Sequence, residues 1–147
     1  MTHTRLKEFF KEKTRKTTPQ NVDWNAKRDA WIASINALYD EIQKYLKDTD
    51  VTLKRQEKPI WENFIGDYRV PELLLRAGDE QVLFSPKGVN VVGAQGRVDV
   101  FGDRGVATLV RQHANRWCVV ASRTPTLRLM PLTADSFGDM LSGIMRP

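Results

Sequence analysis

From Val51 to Met130 apolar residues recur at nearly every second position, broken only by short connectors rich in Gly, Asp, Asn and Pro. A period of two sends alternate side chains to opposite sides of an extended backbone, so this run reads as consecutive strands. The segments Val51–Glu57, Glu72–Ala77, Gln81–Ser85, Val89–Val92, Arg97–Phe101, Val106–Arg111, Trp117–Ser122 and Leu127–Met130 carry the alternation. Between them lie connectors such as Ala77-Gly78-Asp79-Glu80, Gly102-Asp103-Arg104-Gly105 and His113-Ala114-Asn115. Links this short join only antiparallel neighbours, because a parallel crossover needs about a dozen residues or more. The expected sheet is an antiparallel meander of roughly six to eight strands.

Helical spacing brackets this run. Trp31, Ile35, Leu38, Ile42 and Tyr45 alternate steps of four and three, which places them on one face of a helix over Trp24–Lys47, with Asp23 as its N-cap. A shorter amphipathic helix is expected over Thr4–Lys16, with Leu6, Phe9 and Phe10 on its apolar side, ended by Thr17-Thr18-Pro19. At the other end, Thr133 caps a helix whose apolar face is Phe137, Met140, Leu141 and Ile144. The expected class is therefore α+β, with two N-terminal helices and one C-terminal helix packing on the sheet. Residues 1–18 read as a basic amphipathic helix with the start of a linker, and residues 19–147 as a single α+β domain.

The net charge of +5 is unevenly spread along the chain. Residues 1–18 hold six Lys/Arg against two Glu, residues 19–60 hold seven against seven, and residues 61–147 hold ten against nine. A nucleic-acid reader usually carries its basic footprint on the folded domain, whereas here the surplus sits in a short N-terminal segment. The single cysteine, Cys118, rules out an internal disulfide framework. No apolar run approaches the roughly 18 residues of a membrane span, and the first residues lack the apolar core of a secretory signal. A basic, cytoplasmic protein is the expectation.

The stretch Gly93 to Gly105 packs four glycines, two arginines and two aspartates together and resembles a phosphate loop on first sight. A phosphate loop opens a helix, whose N-terminus holds the anion. Here each glycine pair leads into alternating, strand-like sequence, so the glycines are expected in turns. Pairing Phe101 with Val106 sets Val98 opposite Leu109 and Asp99 opposite Thr108. Closing the next hairpin at Arg111 and Arg116 sets Trp117 beside Val110 and Cys118 beside Leu109. One face is then apolar core, and the other mixes Val106, Val110, Trp117 and Val119 with Arg97 and Asp99.

Catalytic and metal chemistries find little support. One Cys and two His do not supply a zinc site, no Gly-x-Ser-x-Gly elbow occurs, and no cofactor or metal is expected. The leading expectation is a non-catalytic protein-interaction module of the immunity, antitoxin or adaptor kind, meeting a protein partner or a second copy of itself. Its expected binding residues are Leu6, Phe9, Phe10, Arg97, Asp99, Trp117, Arg123 and Arg128. The alternative is an RNA-binding or metal-independent RNA-cleaving protein. In that case His113, Arg111 and Arg116 at the sheet edge would supply base and cations, and Trp117 a stacking surface.

Overall fold

A computed structural model describes residues 5–8, 22–90 and 94–147. Helix α1 spans Trp24–Tyr45, and the Asp23 carboxylate accepts a hydrogen bond from the Ala26 N–H at 3.0 Å. That bond satisfies one of the orphan donors at a helix start. Trp31, Ile35, Leu38 and Ile42 are fully buried, and Tyr39 joins them. The strands that follow are β1 (Thr52–Glu62), β2 (Gly66–Ala77), β3 (Glu80–Gly88), β4 (Arg97–Gly102), β5 (Gly105–Gln112), β6 (Arg116–Ser122) and β7 (Arg128–Pro131). They lie side by side in chain order as a seven-stranded antiparallel meander. Helix α2 (Ala134–Ile144) starts at Thr133, which exchanges hydrogen bonds with Ser136 in a capping box.

Both helices pack on the same face of the sheet. The Trp31 ring lies 5.9 Å from that of Trp117 in β6, and Phe137 of α2 lies 6.1 Å from Phe84 in β3. Leu73, Leu75, Val82, Val98, Val100 and Leu109 complete this core, each 1% exposed or less. At 147 residues the chain has room for one such core without disulfide staples.

Four features depart from the sequence-based expectation. Among the described residues one long helix forms at the N-terminal side, and most of the shorter one expected there, 4–16, lies outside them. Of the shorter one, residues 5–8 are helical, while Phe9 and Phe10 lie outside the described residues. No strand covers Val89 and Asn90, and Val91 and Val92 also lie outside the described residues. The unassigned stretch 58–71 is the far half of a long β1–β2 hairpin. Its prolines concealed it: Pro59 is tolerated because β1 is an edge strand, and Pro71 lies beyond the last β2–β3 pair at Leu73–Phe84. Finally, the β5–β6 hairpin closes at Gln112–Arg116, one residue later than expected, so Arg111 faces Trp117 and Val110 faces Cys118. A single-residue slip exchanges the two faces of a strand. Trp117 and Val119 therefore point to the helices, and Cys118 and Val120 to the other side.

Of the glycine-rich stretch, the described residues from 94 onward open no helix, and 102–105 is a tight turn. Strand β4 follows Gly96 and strand β5 begins at Gly105. In the 102–105 turn the Arg104 N–H donates to the Ile144 carbonyl at 2.8 Å, so that amide receives the C-terminal end of α2. Gly96 serves a close approach: at φ +152°, a Cβ there would sit 2.1 Å from the Trp31 ring.

Two tyrosines anchor the hairpin. The Tyr39 hydroxyl donates to the Pro71 carbonyl at 2.8 Å, where β2 has parted from β3. The Tyr68 hydroxyl donates to the buried Glu62 carboxylate, which also accepts from the backbone N–H groups of Val89 at 2.9 Å and Asn90 at 2.8 Å. Burial, reinforced for Tyr68 by Glu62 and for Tyr39 by the charge of Glu72, holds both phenols well above their ordinary pKa.

Two outcomes follow from these contacts. Gly96→Ala should lower unfolding free energy by about 2–4 kcal/mol, because the new methyl overlaps the indole. Gly78→Ala, which meets nothing within 4 Å, should lose only about 1 kcal/mol through its positive φ; urea denaturation compares the two. Above about pH 10 the unfolded tyrosines ionise while the folded ones keep their protons, so stability should fall by about 1.4 kcal/mol per pH unit per tyrosine. Tyr39→Phe and Tyr68→Phe should each remove one tyrosine's share, about 1.4 kcal/mol per pH unit, in denaturation series up to pH 11.

Candidate functional site

Strand alternation leaves the sheet with a second face, opposite the one on which α1 and α2 pack. Three lines of side chains cross it perpendicular to the strands. The first is Leu74, Leu83, Phe101 and Val106, paired in that order across β2, β3, β4 and β5. Leu74 and Leu83 are half-buried, whereas Phe101 is 37% and Val106 57% exposed.

The second line is polar: Gln56, Glu72, Ser85, Asp99 and Thr108. Glu72, Ser85, Asp99 and Thr108 are all 9% exposed or less although neither α1 nor α2 lies over them. Neighbouring side chains cover and satisfy them. Glu72 accepts from Gln56 Nε2 at 3.2 Å and Ser85 Oγ at 3.0 Å, with the Lys58 ammonium 3.9 Å away. Asp99 accepts from Arg97 Nε at 2.7 Å and from a second guanidinium nitrogen at 3.3 Å, and Thr108 Oγ1 lies 3.4 Å from it. Arg123 then donates to Thr108 Oγ1 at 3.3 Å. Each of these two acids thus has a cation and at least one further side-chain donor, as buried charge requires.

The third line is Arg97, Val110, Cys118 and Pro131, and Lys58 reaches it from β1, its pairing partner Val70 being buried in the core. Burial pulls the Lys58 ammonium below its ordinary pKa and the charge of Glu72 opposes that shift. Burial likewise pushes the Cys118 thiol up, against a lowering influence from Arg116. Lys87, in β3, places its ammonium 5.3 Å from the centroid of the Phe101 ring, within cation–π range.

The chemistry of this face is that of a saturated network. Lys58 Nζ lies 2.5 Å from Ser85 Oγ, and a Ser–Lys pair can form a hydrolytic nucleophile and base. Here the Ser85 hydroxyl donates to Glu72, the residue is 4% exposed, and it sits within a strand paired to Asp99. A nucleophile needs a base to take its proton and access to its substrate; Ser85 instead gives its hydrogen bond to a carboxylate already balanced by Lys58.

Of the residues expected from sequence, Arg97, Asp99 and Arg123 come together on this face. Trp117 does not: it stacks beside Trp31 on the helix side. Arg111 is a buried loop clamp, with Nε on Asn115 Oδ1 at 2.9 Å and a terminal nitrogen on the Gln95 carbonyl at 3.3 Å. Burial lowers its pKa. His113 and Arg116 are exposed, one in the turn after β5 and the other at the start of β6. Arg116 shares the parity of Cys118, so it points to the face opposite Arg111 and Trp117; these four residues do not converge. Arg128 is exposed opposite Ser122, and Leu6 is 44% exposed. The expected β4–β5 register sets Thr108 opposite Asp99, but Lys58, Glu72, Ser85 and Lys87 had no signal in the sequence, because their proximity depends on the register of β1, β2 and β3.

Two open clefts lie elsewhere. One, of about 720 Å³, runs between the C-terminal half of α1 and β1, past Tyr39, Asp40, Lys44 and Leu53. The other, of about 670 Å³, passes Ala30, Ala33, Ala37 and Trp117. Among the described residues no three His, Cys, Asp or Glu side chains cluster as metal ligands, and no helix is long and apolar enough to cross a membrane. Compared with models of known families, with curated proteins and with solved structures, the chain matches none.

The polar line gives a direct test. Asp99→Ala strands the Arg97 and Thr108 donors and should lower stability by about 2 kcal/mol. Glu72→Ala should do the same by leaving Lys58 half-buried without a counter-charge. The double variant Lys58→Met/Glu72→Met should recover at least about 1 kcal/mol of that loss in urea denaturation, since an apolar pair can replace an ion pair of similar volume.

Proposed function

We propose that the chain is a non-catalytic protein-binding module that works through the uncovered face of its sheet. The observation that carries this reading is the line Leu74–Leu83–Phe101–Val106, left half-buried or exposed beside a polar line that is already satisfied internally. Apolar surface on a rigid sheet gains about 25 cal/mol per Å² when a partner removes it from water. Beside it, the hydrogen-bonded side chains hold one arrangement, so little ordering is needed on binding. Glu72 and Asp99 are each engaged by several donors, which suits positioning better than proton transfer.

RNA binding is the second reading. Phe101, with Lys87 over its ring, supplies one surface on which a base could stack. Its neighbours Leu74, Leu83 and Val106 are aliphatic and offer no further stacking platform, which favours a protein.

A photo-crosslinking amino acid in place of Val106 distinguishes these readings in the source cells. The expected result is a discrete adduct that survives nuclease treatment, with none from the same probe at Ala30 on the helix side. An adduct destroyed by ribonuclease would transfer the reading to RNA, and adducts from Ala30 alone would move the site to the other side of the molecule.

A further inference from the structure

The uncovered face carries a charge surplus that the one-dimensional count conceals. The two acids of its polar line, Glu72 and Asp99, are buried and balanced by Lys58 and Arg97, and Glu62 of β1 is buried on the Tyr68 hydroxyl and two backbone amides. Five further cations reach this face: Lys54, Arg76, Lys87, Arg116 and Arg123. All five are exposed, and none makes an ion pair with a carboxylate of the described residues. Four of them flank the apolar line, and Arg116, opposite Gln112, stands at the far end of the same face. Lys54 pairs with Leu74 at one end, and Arg76 is the next residue on the same side of β2. Lys87 lies over Phe101, Arg123 bonds Thr108, and Arg116 stands at the start of β6.

We infer that the partner is a protein with an acidic surface around an apolar patch. This rests on the binding reading above and specifies the chemistry of its partner. An apolar centre within a charged, solvated rim is the usual anatomy of a protein interface. A rim of one sign selects a partner of the other and accelerates its approach. The same rim disfavours a second copy of this chain, because two such faces would oppose five unpaired cations to five. The sheet edges are poor alternatives: β1 carries Lys54, Lys58 and Pro59, and β7 has four residues ending in Pro131, features that discourage strand addition.

The test uses the full chain and three labelled probes: a peptide of alternating Glu and Leu, one of alternating Glu and Ser, and a uridylate 20-mer. Fluorescence anisotropy is read at about 50 and 200 mM salt, on either side of the ionic strength where the screening length nears 10 Å. The Glu-Leu peptide should bind most tightly and weaken at the higher salt. Arg76→Glu/Lys87→Glu/Arg116→Glu should weaken it about ten-fold or more, whereas Lys44→Glu/Lys47→Glu/Arg69→Glu, an equal charge change off this face, should weaken it less than about three-fold. Circular dichroism establishes that both triple variants remain folded. Equal losses in the two triples would overturn the inference, as would tighter binding of the uridylate. If Phe101→Ser weakens the Glu-Leu peptide while reversal of the face cations does not, the binding face stands and its acidic partner falls. If neither substitution matters, both fall together.

Discussion

The fold depends on the apolar stripe of α1 lying against one face of the sheet. Trp31 is central to that contact: its indole is fully buried beside Trp117 and above the bare backbone of Gly96. Removing so large an aromatic surface from water is worth several kcal/mol, and ring and glycine make room for one another. α2 reinforces the choice of face through Phe137 on Phe84 and through the Ile144 carbonyl, which accepts from Arg104 in the Gly102–Gly105 turn. Once the helices take this face, side chains of opposite parity are consigned to the other, except in the far half of the β1–β2 hairpin, where Tyr68 and Val70 join the core; this gives the candidate site its composition.

That second face is unusual in burying polar groups without a helix above them. Isolated in an apolar setting, Glu72 or Asp99 would be severely penalised. Side by side with Lys58, Arg97, Ser85, Thr108 and Gln56, their charges and hydrogen-bond capacity are met within the sheet. The β1–β2 hairpin encloses one end of the molecule, with Glu62 holding the Val89 and Asn90 amides and Phe64 stacked 5.2 Å from Trp24. What remains open on that face is a firm surface with an apolar line and cations beside it.

Much of this architecture is legible in particular residues. The four-and-three spacing from Trp31 to Ile42 marks the buried stripe of α1, and Asp23 and Thr133 mark helix starts. The turn Gly102-Asp103-Arg104-Gly105 leaves so little freedom that the β4–β5 register, with Asp99 opposite Thr108, follows from the sequence. At the next hairpin the same reasoning slips by one. There Ala114 and Asn115 both adopt positive φ, 61° and 56°, and close a three-residue loop at Gln112 and Arg116. Nothing in Ala114 announces a left-handed conformation, which non-glycine residues seldom adopt. That slip moves Trp117 from the uncovered face to the core.

The sequence by itself determined the kinds of element, their order and the meander, because periodicity, caps and short connectors are local properties that need no distant partner. Only the tertiary structure decided which side chains meet. Lys58, Glu72, Ser85 and Asp99 belong to four strands, and their contacts exist only after those strands register and the helices claim one face. Charge behaves in the same way. A body that is nearly neutral along the chain carries several exposed cations on one face, because alternation sends Lys54, Arg76, Lys87 and Arg116 to the same side while Glu72 and Asp99 on that side are buried and paired. A linear count averages over the two faces of a strand; the folded sheet separates them.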